Sequence, residues 1–367
     1  MHNNKLVRIV LVLALVFGVV AGLIFAASFL KPLALALLIA LLLVPVARRL
    51  EKAGMNRFLS CLVSDLIFVA FIAGLVFLLS HQVQNIASDW DRIQQRGKEQ
   101  IEKVQTMVVK QVGVSEKEQE EAIEKAVRNF LSGPQSRLTG MLKNTIGSFG
   151  DLVLVAIYIL LFLYYRHHFA GFIHRLVPEG QHDNATDALE EIKSTAANYL
   201  GGRLILIFFL AIIYGIGFFA FSVPYAFFYA VFAALLSLIP YLGNAIGVAF
   251  PMANTLLAED PGNSFFGVLI VFAIAQFIES YLLEPLIVGK KVHINPFFTI
   301  LIVVLGGAIW GVVGMMVAIP YLGMLYVAMN HTSDLKPYAF LIGGESESDT
   351  TTGIEKTFSK LKNKLSG

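Results

Sequence analysis

Cysteine occurs once in the 367 residues, at Cys61. An internal disulfide is therefore impossible, and a cysteine-built metal cluster has no basis. Charged side chains are also scarce, at 15% against about 25% in ordinary soluble domains. Two stretches lack Asp, Glu, Lys and Arg altogether: 36 residues from 223 to 258 and 39 residues from 292 to 330. No glycine-rich phosphate loop is present, since Gly201-Gly202 and Gly306-Gly307 stand outside any nucleotide-binding pattern. No nucleophile is set beside a base, and no metal-ligand spacing occurs. The chain reads as a non-enzyme without a resident cofactor, with H+ or Na+ as the conceivable coupling ion.

What is abundant is apolar surface. The hydrophobic share is 56% and mean hydropathy is +0.70. Apolar runs fall at 9–30, 32–47, 60–80, 146–165, 204–222, 223–258, 264–288 and 292–330. A membrane core about 30 Å thick needs about 20 apolar residues in a helix. The run 9–30 is too long for a cleaved leader and suits a retained first span. The predicted fold is an all-α polytopic membrane protein with about eight membrane segments. Two of these, 223–258 and 292–330, exceed one span and carry breakers in their middles. Pro240, Gly243, Gly247 and Pro251 break the first; Gly306, Gly307, Gly311, Gly314 and Pro320 break the second. Broken backbone at membrane depth needs protein or water around it, so both read as broken segments or re-entrant hairpins.

Lysine and arginine set orientation. Lys5, Arg8, Arg48, Arg49, Lys52, Arg57, Arg166, Arg175, Arg203, Lys290, Lys291 and the tail lysines fall on one side if each overlong run enters and leaves by the same face. That side is the cytoplasm, and both termini belong to it; Lys31-Pro32 then marks an outer turn. The domain expectation follows: spans one to three in 1–80, a polar insert at 81–145, a second membrane part at 146–335, and a cytoplasmic tail at 336–367. The insert holds ten Lys/Arg and nine Asp/Glu. Ile86, Trp90, Ile93, Gly97, Ile101, Val104 and Val108 step by three or four along it, and Ile123, Val127, Phe130 and Leu131 form a second stripe. An extracytoplasmic helical hairpin is predicted there, covering the membrane part or joining protomers. A further amphipathic helix near Asp187–Tyr199 is expected to lie at the cytoplasmic interface.

Ionisable groups inside hydrocarbon are costly and functional by default. Gln276 and Glu279 share one helical face, Ser280 and Glu284 another. Pro285 lacks an N–H and in an α-helix frees the Tyr281 carbonyl beside Glu284. Pro240 likewise frees the Leu236 carbonyl, Gly243 permits a tight turn, and Asn244 offers an amide to a polar ligand. These seven residues (Gln276, Glu279, Glu284, Pro285, Pro240, Gly243 and Asn244) form the predicted solute or ion pathway. Gly306, Gly307, Gly311 and Gly314 suit close helix contact. With Pro320, His293, Asn295 and Pro296 they form the hairpin and packing set. Asp65 and Asp151 read as structural acids, Asp65 capping or pairing with Arg57.

These motifs resemble one known family. ANYLGGRLI ending at Ile205, SVPYAFFYAVFAALLSLIPYLGNAIG at 222–247 and ESYLLEPLIVGKKVHINPFFTILIVVLGGAIWGVVGMMVAIP at 279–320 look like the signature of the AI-2E transporters. LALLIALLLVPVARRLEKAGMNR at 35–57 is similar to that family's second-helix signature. The chain departs at Asn244, where many members carry proline. The resemblance implies a transporter of the bacterial inner membrane, named for export of autoinducer-2, a small furanose-like polyol. Other members are associated with sodium–proton exchange. It further implies a homo-oligomer, with a pentamer suspected. A secondary transporter of a small polar solute is the leading expectation. The rivals are a sodium–proton antiporter and a non-transporting scaffold that presents the 81–145 hairpin.

Overall fold

The computed structural model describes residues 2–88, 95, 149–178, 182–256, 261–288 and 294–344. Among them the chain is helical, and its β-structure is confined to one isolated bridge between Ile294 and Gly343. The helices are α1 (His2–Phe25), α2 (Ala27–Lys52), α3 (Arg57–Ser88), α4 (Phe149–Leu176), α5 (His182–Ala220) and α6 (Ala226–Leu236). They continue as α7 (Leu242–Leu256), α8 (Pro261–Ile278), a π-helical segment (Glu279–Val288), α9 (Pro296–Trp310), α10 (Val312–Asn330) and α11 (Lys336–Ile342). Six stretches are long and apolar enough to cross a membrane: α2, Arg57–Gln82 in α3, Gly150–Leu176 in α4, α5, Gly262–Ile287 and α10.

Two compact units share the chain. One comprises Met1–Lys31, Tyr165–Leu200 and Gly289–Gly367; the other comprises Pro32–Tyr164 and Gly201–Val288. In the second, α2, α3 and α4 pack through Ala36, Ala40, Leu43, Ala47, Cys61, Ile159 and Leu163. Alanines at positions 36, 40 and 47 of α2 let the neighbouring helices approach closely. Asn56 caps α3 by accepting the Leu59 N–H at 2.8 Å. Arg57 then donates to the Tyr164 carbonyl and lies 5.4 Å from that ring's centroid, pinning α3 to α4.

The first overlong run becomes two short helices, α6 and α7, joined by a turn. At 11 and 15 residues they measure about 16 and 22 Å, each less than a membrane core. The turn is tight: Ile239 N–H donates to the Leu236 carbonyl at 2.8 Å and Gly243 N–H to Ile239 at 3.0 Å. Hence the Leu236 carbonyl is not freed by Pro240, because a three-residue turn supplies another donor. Tyr241, not Gly243, takes the left-handed conformation, with φ of 64°. Gly243 is needed for proximity instead, since an added Cβ would overlap the Leu236 carbonyl.

The first unit contains the second overlong run, α9 and α10. Asn295 starts α9 by accepting the Phe297 N–H at 2.9 Å, with Pro296 next. Gly306 and Gly314 face each other so closely that a Cβ on Gly306 would lie 2.6 Å from the Gly314 carbonyl oxygen. Gly311, with φ of 67°, turns the chain between the two helices. Trp310, beside that turn, donates its indole N–H to the Leu23 carbonyl of α1 at 2.8 Å. His331 lies 2.7 Å from Glu191 of α5.

Several boundaries differ from the sequence expectation. The first break falls at Ala26 rather than Lys31-Pro32, and Pro32 lies inside α2. Its missing N–H leaves the Ser28 carbonyl without its helical i+4 donor. The amphipathic stretch 187–199 is not a separate interfacial helix, for it runs unbroken into the following span as α5. Nothing between Leu200 and Leu204 interrupts helical hydrogen bonding strongly enough to end it. The predicted 81–145 hairpin lies outside the described residues except for the end of α3 and Gln95, as does the tail beyond Gly344.

Overpacking the α9–α10 contact is expected to cost about 1–3 kcal/mol. Cys61 is fully buried, so a thiol-reactive dye reports unfolding. Gly314→Val is expected to lower the dye-detected transition by several degrees, with Gly74→Val, where nothing lies within 4 Å, unchanged.

Candidate functional site

The pathway residues converge in the second unit. α8 ends at Ile278, and Glu279 opens the π-helical segment, a helix form that often marks functional positions. Glu279 is 4% exposed although it belongs to an apolar span. A carboxylate there requires partners. Asn244, two residues into α7, supplies one: its Nδ2 donates to Glu279 Oε2 at 2.9 Å and to Gln276 Oε1 at 3.0 Å. A carboxylate only accepts, so the Asn244 amide nitrogen must face it. Gln276 in turn donates to Ser280 Oγ at 3.2 Å. The other oxygen of Glu279 stands 3.9 Å from Arg203 Nη1.

Arg203 was read from sequence as an orienting loop charge. It is instead 8% exposed inside α5. The signal was present: Arg203, Leu206, Leu210 and Tyr214 step by three and four, and all four are buried. Arginine thus occupies a position on an apolar stripe, where only a paired cation is tolerable. Its partner is Glu279.

The resulting group holds one cation and one anion, so it presents hydrogen-bonding atoms without net charge. One capacity is unused: Asn244 Oδ1 is buried and meets no hydrogen-bond partner among the described residues. Pro240 is buried and Gly243 lies under the turn, so both position Asn244. Glu284 and Pro285 are exposed on the π-helical segment and make none of the group's hydrogen bonds, though the Glu284 carboxyl is within electrostatic reach of Glu279. In that segment bonding runs to the fifth residue back, so Pro285 deprives Ser280, not Tyr281, of a donor. His293 lies outside the described residues. Gly306, Gly307, Gly311, Gly314, Asn295, Pro296 and Pro320 belong to the other unit, around α9 and α10.

Comparison with known proteins decides the family. The model of the AI-2E family transporters matches residues 11–334. The chain belongs to the AI-2E transporter family. Proteins similar to it include YueF of Bacillus subtilis, named as a candidate transport protein. It is 27% identical over 202 residues, which is 54% of either chain. A candidate transport protein of Haemophilus influenzae is 25% identical over 356 residues, 94% of this chain and 98% of its own. PerM of Escherichia coli K12, named as a candidate permease, is 25% identical over 180 residues, 49% of this chain and 50% of its own. The match thus spans about half the length of YueF and of PerM. A multi-pass membrane protein of a transporter family accounts for both the six apolar helices and the scarcity of charge.

Removing one member of a buried pair leaves an uncompensated charge and costs about 3–5 kcal/mol. Arg203→Gln is expected to destabilise the protein on that scale, and Glu279→Gln in the same chain to recover part of the loss. Thermal unfolding of the two single variants and the double variant measures the coupling. Additive losses would mean that the pair does not interact.

Proposed function

We propose that this AI-2E transporter moves a small, neutral, polar solute of the autoinducer-2 kind across the bacterial inner membrane. The supporting observation is the Asn244–Gln276–Glu279–Arg203 group. Its charge is internally balanced, which favours a hydroxyl-rich solute over a bare cation. The unfilled acceptor at Asn244 Oδ1 is suited to a solute hydroxyl, which can donate to it. Displacing the Asn244 contacts to Gln276 and Glu279 would open two further acceptors. Sites built around hydrogen bonds discriminate strongly, because a mismatched ligand leaves buried groups unpaired.

In this reading α6–α7 and α9–α10 are re-entrant hairpins, of which α6, α7 and α9 are each too short to span the core; with α1, α2, α3, α4, α5 and α8 with its π-helical segment they give about eight segments. The lysine- and arginine-rich flanks, and with them both termini, face the cytoplasm. Glu284 and Pro285 lie along the exit path rather than at the binding point, where the freed Ser280 carbonyl offers a transient contact. The chain acts without chemical conversion of its solute, and assembles as a homo-oligomer, a pentamer on the family likeness.

The sodium–proton exchange reading takes Glu279 as its ion site, and Glu279 already faces Arg203 at 3.9 Å. Inverted membrane vesicles separate the two. Asn244→Ala and Glu279→Gln are expected to lower autoinducer-2 flux by about tenfold or more, equivalent to about 1.4 kcal/mol. Glu284→Gln is expected to have a smaller effect. Sodium-triggered recovery of a quenched pH dye, abolished by Glu279→Gln, would replace solute transport with antiport.

A further inference from the structure

Asp65 lies eight residues into α3, about 12 Å along the axis from Arg57. It is 5% exposed, and its Oδ1 meets no hydrogen-bond partner among the described residues. Its surroundings follow from its neighbours on the helix. Cys61, one turn before, and Phe68, one turn after, share its face and both pack in the layer formed with α2 and α4. That layer is made of Ala36, Ala40, Leu43 and Ala47 from α2 and Ile159 and Leu163 from α4. The carboxyl is therefore set among methyl groups and rings inside an apolar span.

Among the described residues no charge is paired with it. Arg57, the cation expected from sequence to pair with it, is engaged with the carbonyl and ring of Tyr164 instead. The charged residues of α2 (Lys31, Arg48, Arg49, Glu51 and Lys52) lie towards its ends, and Asp151 of α4 is exposed in that helix's first turn. Of the titratable groups on the packed elements, Tyr158 of α4 lies against this layer and Tyr164 of α4 faces Arg57. Arg166, His167, His168, His174 and Arg175 follow Tyr164 towards the other end of α4. Helix α6, also packed on α3, carries Tyr229. Buried Ser64, next in sequence, donates its hydroxyl to the Ser60 carbonyl at 2.7 Å, so its proton is committed to the helix. Glu279 has a cation and an amide; Asp65 has neither.

An isolated carboxylate in such a place is strongly disfavoured. A metal cation would need a shell of several oxygens, which alanine and leucine side chains do not provide. A proton needs only the carboxylate oxygen. We propose that Asp65 is a proton-binding site within the membrane, separate from the Asn244–Glu279 group, and that its proton is the ion coupled to solute movement. The second clause rests on the transport reading above; the first does not. The proton adds to a carboxylate oxygen, forms an O–H bond, and leaves as H+ when the site opens to water.

The full chain in proteoliposomes tests both clauses. Dicyclohexylcarbodiimide attacks protonated carboxyls in apolar surroundings, and peptide mass mapping locates its adducts. The expected result is an adduct on Asp65 at pH 7 that declines as pH is raised; labelling that spares Asp65 overturns the site. In solute-free proteoliposomes on a solid-supported membrane, a pH step is expected to give a transient current. Asp65→Asn should reduce it at least tenfold and Asp151→Asn, at an exposed acid outside the solute site, should leave it; an unchanged Asp65→Asn current overturns the site. If Asp65→Asn fails to fold, Asp65→Glu takes its place, with the adduct expected at the new carboxyl and its absence counting against the proposal. Asp65 labelling in a protein that moves no solute would sink the transport reading and leave the proton site standing. Proton-driven autoinducer-2 flux that persists in Asp65→Asn would remove the coupling.

Discussion

Hydrocarbon offers no water to an unpaired polar group, and Glu279 places a carboxylate where that rule is enforced. Its position determines much of the second unit. An amide must reach it, so a hairpin has to present Asn244 at the start of α7. That hairpin must turn within a few residues, hence the left-handed Tyr241 and the side-chain-free Gly243 under the Leu236 carbonyl. A cation must also reach it, so α5 carries Arg203 on a stripe otherwise reserved for apolar residues. The π-helical onset at Glu279 then turns the following residues, and Glu284 emerges exposed.

The two buried acids illustrate two solutions to one problem. Glu279 is surrounded by partners and is suited to holding a ligand that exchanges hydrogen bonds. Asp65 is surrounded by alkyl groups. Under the function proposed above, keeping both in the apolar interior separates recognition from charge movement. Solute chemistry can then vary at the hairpin without altering the layer formed by α2, α3 and α4.

Much of this was legible in the residues themselves. The hydrophobic runs located the long helices, because membrane thickness fixes how many apolar residues a span needs. The breakers at Pro240 and Gly243 located the turn, and the spacing of Gln276 and Glu279 put them on one face. Distances along the chain hid the rest. Arg203 lies 76 residues before Glu279, and no local pattern joins them; only the register of its stripe betrayed burial. Helix ends were blurred where propensity is weak, so the break at Ala26 was placed at Pro32, and α5 was divided where the chain is continuous. The partner of Pro240 was misjudged because a tight turn changes which carbonyl a given N–H can reach.

One contact within the first unit has a practical consequence. Tryptophan occurs twice in the chain, at Trp90 and Trp310. Trp310 sits beside the Gly311 turn of α9–α10 and lends its indole N–H to α1. Indole emission depends on that hydrogen bond and on nearby water. With Trp90 replaced by phenylalanine, the protein carries a single tryptophan, at the tip of that helix pair. Parting of the pair from α1 becomes a change of colour, with no label attached.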